Sequence, residues 1–239
     1  MAKDYSSRQF RYLDLIIALF VAVLITSNVA SSAKIVGLGF SVFGVYLAFD
    51  GGTLLFPLAY VIGSILTEVY GFRVARRVIW TGFGVLALTA LFFFILRALP
   101  GEETWEIYAG TAAYEAILGG ISTGGIVLAS LCGYLVGKFF NSIVHSFVKV
   151  LMKGRLLWVR TIGSSVVGEL LDSLIFVGIA SLTGVFPWEL FVSLVFTNYI
   201  IKLSIEVLLT PFVYLSVRAL KKAEGDVYDL GVRYNPFGF

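Results

Sequence analysis

The stretch LDLIIALFVAVLITSNVASSA occupies residues Leu13–Ala33 and carries a single charged side chain, Asp14, at its second position. A helix of that length crosses the hydrocarbon core of a bilayer, which needs about 20 apolar residues. Comparable stretches follow at 53–70, 78–96, 117–136, 161–183 and 190–213. The sequence therefore predicts an all-α, polytopic membrane protein with six transmembrane helices.

The overall composition excludes most other classes of protein. Of 239 residues, 59% are hydrophobic and 14% are charged, and the mean hydropathy is +0.93. A soluble domain usually has about 25% charged residues, and a disordered chain is poor in apolar residues. Cys132 is the single cysteine, which excludes a disulfide scaffold.

The segment between the first two spans has a character of its own. Residues 35–49 read IVGLGFSVFGVYLAF, which is apolar but short for a full span and interrupted by glycine. It predicts a re-entrant or hairpin segment. Because no linker or internal repeat divides the chain, residues 1–222 are expected to form a single transmembrane domain. Residues 223–239 are expected to form a short cytoplasmic tail.

Basic residues alternate between the two sides of the predicted bundle. Lys34 follows the first span, Arg97 follows the third, and no Lys or Arg separates the fifth from the sixth. Apart from Lys202, all others fall on the opposite side: Lys3, Arg8, Arg11, Arg73, Arg76, Arg77, Lys138, Lys149, Lys153, Arg155, Arg160, Arg218, Lys221, Lys222 and Arg233. The positive-inside rule then predicts a multi-pass protein of the cytoplasmic (inner) membrane with both termini cytoplasmic. A cleavable signal peptide ending at residues 30–33 is the alternative for the first span.

Charged side chains inside the predicted spans are candidates for a functional site, because each costs a few kcal/mol or more at the bilayer centre. These residues are Glu68, Glu169, Asp172, Lys202 and Glu206. Glu169 and Asp172 are three positions apart and share one helix face with Ser165, one turn earlier. One face of the fifth span is therefore acidic.

The sixth span carries a second polar stripe. Asn198, Lys202 and Glu206 recur every four residues. Counted from the loop between the two antiparallel helices, Lys202 lies at the depth of Asp172, which predicts a buried ion pair. Whether that pair is purely structural or exchanges with a substrate is left open.

Two further residues have both a structural and a functional interpretation. Glu68 lies near the inner end of its span, where it can pair with the arginines of 73–77 instead of binding a ligand. Asn28 can form an interhelical hydrogen bond or contact a ligand.

Catalytic and metal-binding signatures are absent from the sequence. It contains no GxxxxGK[ST], no HExxH and no Cys/His cluster, and its only histidine, His145, falls in a predicted loop. We therefore expect no enzymatic activity, no cofactor and no metal.

Residues 57–83 read PLAYVIGSILTEVYGFRVARRVIWTGF and contain TEVYG at 67–71 and ARR at 75–77. This segment resembles the queuosine precursor transporter family, also described as vitamin uptake transporters. Further matches are Ala129-Ser130-Leu131, Asn141, Leu157-Trp158-Val159-Arg160, Gly168-Glu169, Asp172, Lys202, Glu206 and Pro211. The chain departs from the family at its tail and at Ser64, where an acidic residue is often expected.

The resemblance implies a six-helix importer of 7-deazaguanine precursors of queuosine: 7-cyano- or 7-aminomethyl-7-deazaguanine, or queuine. Glu169 or Asp172 would accept the neighbouring N–H groups of the guanine-like edge as a bidentate pair. The other carboxylate, or Glu68, would balance an aminomethyl cation. The remaining expected contacts are Asn28, Asn198 and Lys202 on the carbonyl edge, Tyr199 and Phe176 stacked on the ring, and Ser165 and Glu206 beside them.

Two other functions remain open at this point. A substrate-binding S-component of an energy-coupling-factor vitamin transporter would need separate ATPase and scaffold subunits, whereas the transporter interpretation needs no ATPase partner. A non-transporting structural membrane protein would use its polar stripes only to join helices. The expected partners are a deazapurine and the lipid bilayer; no nucleic acid is expected, and a homo-oligomer is left open.

Overall fold

The computed structural model describes residues 10–42, 44–151 and 157–224. Eight helices and two strands lie in these ranges, besides two short 3-10 helices at Gly51–Leu54 and Trp188–Leu190. They are α1 Leu13–Ala33, β1 Ile35–Val42, β2 Val45–Asp50, α2 Phe56–Tyr70, α3 Phe72–Ala98, α4 Glu103–Tyr108, α5 Gly110–Ser122, α6 Gly125–Leu151, α7 Leu157–Leu182 and α8 Phe191–Glu224. Lys3, Arg8, Lys153, Arg155, Arg233 and residues 225–239 of the predicted tail lie outside the described residues.

The predicted membrane-spanning character is confirmed for most of the chain. Within the described residues, five stretches are long and apolar enough to cross a bilayer: Leu13–Ala33, Arg73–Ala98, Gly110–Asn141, Ile162–Leu182 and Trp188–Glu224. The second predicted span corresponds to α2, which has only 15 residues. The count of six spans therefore stays a prediction.

The predicted fourth helix, 117–136, is broken rather than continuous. Helix α5 ends at Ser122, and α6 begins at Gly125. Between them Gly124 has a φ of 78°, in the left-handed region that favours glycine. The backbone conformation of Gly124 therefore divides an apolar segment that its composition predicts as one continuous helix.

The segment between α1 and α2 is a β-hairpin, which confirms the hairpin alternative of the prediction. The predicted all-α class therefore holds for the helical bundle but not for this segment. Strands β1 and β2 pair antiparallel, from Ile35 opposite Asp50 to Val42 opposite Val45. The backbone N–H of Ala48 donates to Ser193 Oγ at 3.0 Å, and that hydroxyl donates to the carbonyl of Tyr46. The hairpin is thereby fastened to the first turn of α8.

Helices α6 and α7 form the most extensive helix pairing among the described elements. Glycines permit this approach: a Cβ atom on Gly137 would lie 2.8 Å from the carbonyl oxygen of Gly168. A Cβ atom on Gly133 would lie 2.8 Å from Asp172 Oδ1. Small residues let helix backbones come close in membranes, and here they bring α6 directly against the acidic face of α7.

The end of α8 is joined to the start of α1. Glu224 is 8% exposed and accepts hydrogen bonds from the backbone N–H groups of Arg11 (3.1 Å) and Tyr12 (2.8 Å). The hydroxyl of Tyr70 also donates to Glu224, at 3.3 Å. Tyr12 is the N-cap residue of α1 and Arg11 precedes it, so the carboxylate holds the backbone in place where α1 begins. Helix α8 thus continues two residues past the predicted domain boundary at 222.

Replacing Glu224 tests this contact. Glu224→Ala removes the acceptor of two backbone N–H groups and should lower the free energy of unfolding by about 1–2 kcal/mol, the usual loss for a helix cap. The measurement is thermal or denaturant unfolding in detergent. Glu103→Ala, at an exposed position of α4, is the control and should change stability by less than about 0.5 kcal/mol. Equal stability of Glu224→Ala and wild type would contradict the contact.

Candidate functional site

The acidic face of α7 and the polar stripe of α8 meet inside the bundle. Lys202 Nζ donates to Asp172 Oδ2 at 2.6 Å, and the two side chains are 3% and 1% exposed. The predicted ion pair is therefore present. Helices α7 and α8 are held in one register by it, since a buried charge requires its partner.

Carboxylate oxygens without partners surround this pair. Both oxygens of Glu169, Asp172 Oδ1 and Glu206 Oε2 are buried and accept no hydrogen bond from the described residues. Glu169 is 1% exposed, and its charged neighbours include Lys202 and Lys138. Buried polar groups are normally hydrogen-bonded. We call Glu169, Asp172, Lys202 and Glu206 the acidic cluster; it contains acceptors that the protein does not satisfy.

A short polar chain connects the acidic cluster to α6. Ser165 Oγ donates to Glu206 Oε1 at 2.8 Å, and Asn141 Nδ2 lies 3.5 Å from Ser165 Oγ. The two predicted stripes thus come together at Ser165 and Glu206. Asn141 adds a third helix to the arrangement.

Lys138 is placed differently from the sequence-based prediction, which put it among the basic residues of the cytoplasmic side. Its ammonium lies 4.2 Å from the ring centroid of Tyr60 and 5.8 Å from that of Tyr134. Glu206, Glu169 and Asp172 are its charged neighbours. Because α6 runs to Leu151, beyond the predicted end at 136, Lys138 lies within a helix and beside the acidic cluster.

Asp50 is a buried carboxylate that the sequence analysis missed. It is 1% exposed and accepts hydrogen bonds from four groups: Ser31 Oγ, the Gly52 N–H (3.1 Å), Thr53 Oγ1 (2.7 Å) and Asn198 Nδ2 (2.7 Å). The run Asp-Gly-Gly-Thr at 50–53 is a signal for it, because Asp caps short helices. The side chain of Asn198 is hydrogen-bonded to Asp50 through both its amide nitrogen and its amide oxygen.

A small cavity separates Asp50 from Lys202. It is lined by Ser31, Asp50, Gly52, Thr53, Phe56, Phe176 and Lys202. The ammonium of Lys202 lies 5.1 Å from the ring centroid of Phe56 and 5.4 Å from that of Phe176, within cation–π distance. Lys202 therefore borders both the cavity and the acidic cluster, and Phe176, a predicted ligand contact, lies beside Lys202.

Two predicted site residues, Glu68 and Asn28, have hydrogen-bond partners outside the acidic cluster. Glu68 is 63% exposed and accepts a hydrogen bond from Lys221 at 2.7 Å, so it forms an interfacial ion pair with a cation that the sequence analysis did not consider. Asn28 accepts from Ser130 Oγ at 2.6 Å, which confirms the interhelical hydrogen bond. Tyr199 is half-buried next to Asn198 on α8.

Comparison with known proteins identifies the family. The family model described as "Putative vitamin uptake transporter" matches residues 50–216. The chain belongs to this family. The matched region contains Asp50 and the whole acidic cluster, and family membership makes the chain a multi-pass membrane transporter with a small-molecule substrate and a lipid environment.

Three relatives carry a more specific name. The "Probable queuosine precursor transporter" of Bacillus subtilis is 25% identical over 72% of this chain and 73% of its own length. The Haemophilus influenzae protein of the same name is 24% identical over 66% of this chain and 63% of its own. The "Queuosine precursor transporter" of Escherichia coli is 26% identical over 69% and 66%. No solved structure matches the chain.

A double-mutant cycle tests the buried ion pair. Lys202→Met leaves Asp172 buried without a cation and should lower the free energy of unfolding by about 3–5 kcal/mol. Adding Asp172→Asn to Lys202→Met should recover much of that loss, as measured by unfolding in detergent. If the changes that the two substitutions cause in the free energy of unfolding simply add, the ion pair is contradicted. The exposed pair Arg97–Glu115, at 2.9 Å, is the control, and Arg97→Met should lower stability by less than about 1 kcal/mol.

Proposed function

We propose that this chain imports a 7-deazaguanine precursor of queuosine across the cytoplasmic membrane, with both termini on the cytoplasmic side. The family and the names of three relatives support this substrate class. The observation that carries the proposal is the set of buried carboxylate oxygens without partners, centred on Glu169.

Glu169 has the properties needed to recognise a guanine-like edge. That edge presents a ring N–H beside an exocyclic amine, and a carboxylate accepts both in a bidentate pair. Both oxygens of Glu169 are buried and without a hydrogen bond from the described residues, whereas Asp172 already accepts from Lys202. We therefore assign the bidentate contact to Glu169 and a supporting contact to Asp172 Oδ1.

The charge of the region suits a substrate with N–H donors or a cation. Three carboxylates, from Glu169, Asp172 and Glu206, face two ammonium groups, from Lys138 and Lys202. If all five groups are ionised, their formal charges sum to −1. An aminomethyl group on the substrate would balance it, as in 7-aminomethyl-7-deazaguanine.

Aromatic side chains beside the acidic cluster can hold a planar ring. Phe176 and Phe56 both line the cavity and both lie near Lys202. Stacking on an aromatic side chain contributes about 1–3 kcal/mol per base. We assign this role to Phe176 with Phe56, while the predicted contact from Tyr199 stays a prediction.

The other candidate functions gain no support from the comparisons. The relatives are named as transporters, not as subunits of an ATPase-driven complex or as structural proteins. The buried acceptors around Glu169 also exceed what joining two helices requires.

Restoration of queuosine in tRNA tests the proposal in cells. A host that lacks both queuosine synthesis and its own precursor transporter is supplied with a low external concentration of precursor. Expression of this chain should restore the modification, measured by mass spectrometry of tRNA nucleosides. A correctly inserted protein without restoration would overturn the proposal. Restoration in a host without any energy-coupling module would exclude the S-component alternative, because an S-component needs separate ATPase and scaffold subunits.

Matched Glu→Gln substitutions test the site. Glu169→Gln preserves shape but replaces an acceptor oxygen by an N–H donor, and leaves substrate donors unsatisfied in a buried site. Initial uptake should fall at least about tenfold, the effect of about 1.4 kcal/mol or more. Glu68→Gln, in the exposed pair with Lys221, should change uptake less than about twofold. Wild-type uptake by Glu169→Gln at equal membrane abundance would remove Glu169 from the site.

A further inference from the structure

Two buried tyrosines face the acidic cluster and play no part in the assignments above. Tyr60, on α2, and Tyr134, on α6, are each 1% exposed, and their ring centroids are 4.9 Å apart. Neither hydroxyl forms a hydrogen bond with any described residue. A buried hydroxyl without a partner lowers the stability of a folded protein.

Each hydroxyl packs against a glycine of a neighbouring helix, and the hydroxyl of Tyr60 lies on the side of α7. A Cβ atom on Gly137 would lie 2.9 Å from the Tyr60 hydroxyl oxygen and 2.9 Å from Asp172 Cβ, which places the hydroxyl beside Asp172. A Cβ atom on Gly63 would lie 3.0 Å from the Tyr134 hydroxyl oxygen. The acidic side chains of Glu169 and Asp172 are neighbours of both tyrosines. The glycines therefore leave room for two donors at the edge of an acceptor-rich region.

The tyrosines differ from other buried hydroxyls without partners. Ser173 and Thr197 also lack a partner among the described residues. A serine or threonine in a helix can turn its hydroxyl toward the carbonyl four residues earlier. A tyrosine hydroxyl stands at the far end of a rigid ring and cannot reach its own backbone, so its partner must come from elsewhere.

The residues expected on the carbonyl edge of the ligand already have partners. Asn28 accepts from Ser130, and its amide donates to the carbonyl of Leu24 at 2.8 Å. Asn198 is bonded to Asp50, and Lys202 to Asp172. The two tyrosine hydroxyls, which have no partner among the described residues, are therefore the more available donors for the carbonyl of a guanine-like ligand.

We infer that Tyr60 and Tyr134 form the donor side of the ligand site and that their hydroxyls bind a carbonyl oxygen of the ligand. The inference rests on the proposed function and extends it. Glu169 accepts from the N–H groups of the ligand edge, and the tyrosines donate to the oxygen at the end of that edge. The ammonium of Lys138, 4.2 Å from the centroid of the Tyr60 ring, holds the ring in place. The two tyrosine hydroxyls thereby discriminate a ligand with a 6-oxo ring from one with a 6-deoxo ring.

Binding of two ligands to the purified full-length chain tests the inference. The probes are 7-cyano-7-deazaguanine and its 6-deoxo analogue, which lacks the carbonyl oxygen and with it the adjacent ring N–H, and binding is measured by calorimetry in detergent. Wild type should prefer the oxo ligand. Tyr60→Phe and Tyr134→Phe should each weaken binding of the oxo ligand about tenfold and leave the analogue unchanged, so that the preference falls by that factor.

Tyr70→Phe is the matched control. Its hydroxyl donates to Glu224, outside the acidic cluster, and its loss should leave the ligand preference unchanged. Thermal unfolding provides an independent check on the two test variants. Removing a buried hydroxyl that has no protein partner should leave the melting temperature of the ligand-free protein unchanged or raise it.

The possible results separate the inference from the proposed function. If wild type prefers the oxo ligand and both Phe variants keep that preference, the inference is wrong while the proposed function stands. Equal weakening of both ligands assigns the tyrosines to packing and also overturns the inference. If wild type binds neither ligand, the proposed function and the inference fail together.

Discussion

The ion pair between Asp172 and Lys202 is the interaction on which the rest of the interior depends. Each charge alone would cost several kcal/mol in a bilayer, and the 2.6 Å contact offsets that cost for both. It also sets the register of α7 against α8, which brings Glu169 and Glu206 to one place. The same lysine borders the small cavity and lies between two phenylalanine rings. One contact thus positions acceptors, aromatic rings and a cation together.

Two other buried carboxylates show why burial alone does not identify a site. Asp50 is as buried as Glu169, yet four donors from α1, α8 and its own turn satisfy its oxygens. Its contribution is to fasten the hairpin and the following short helix to their neighbours. Glu169 has no such donors among the described residues. The difference in hydrogen bonding, at equal burial, is what separates a structural acid from a candidate ligand contact.

The helices and the ion pair were predictable from the sequence because both follow from regular spacing. Apolar length predicts the spans, and helical rise places Asp172 and Lys202 at one depth. The break at Gly124 was not predictable, because one glycine φ angle leaves no mark on hydropathy. Lys138 was assigned to the cytoplasmic side because the helix was predicted to end at 136, whereas α6 continues to Leu151 and keeps Lys138 beside the acidic cluster. Tyr60 and Tyr134 were not predicted as site residues, because the sequence pattern around an aromatic residue in an apolar segment is the same whether the residue faces lipid or a polar site.

Helix α8 connects the candidate site to both ends of the bundle. Near its start, Ser193 and Asn198 bind the hairpin and Asp50; near its end, Lys221 and Glu224 bind α2 and α1. Lys202 lies between these two sets of contacts and joins α7. Because α8 carries Lys202 between these two sets of contacts, a change at the Asp172–Lys202 pair acts on the same helix that holds the hairpin, α1 and α2.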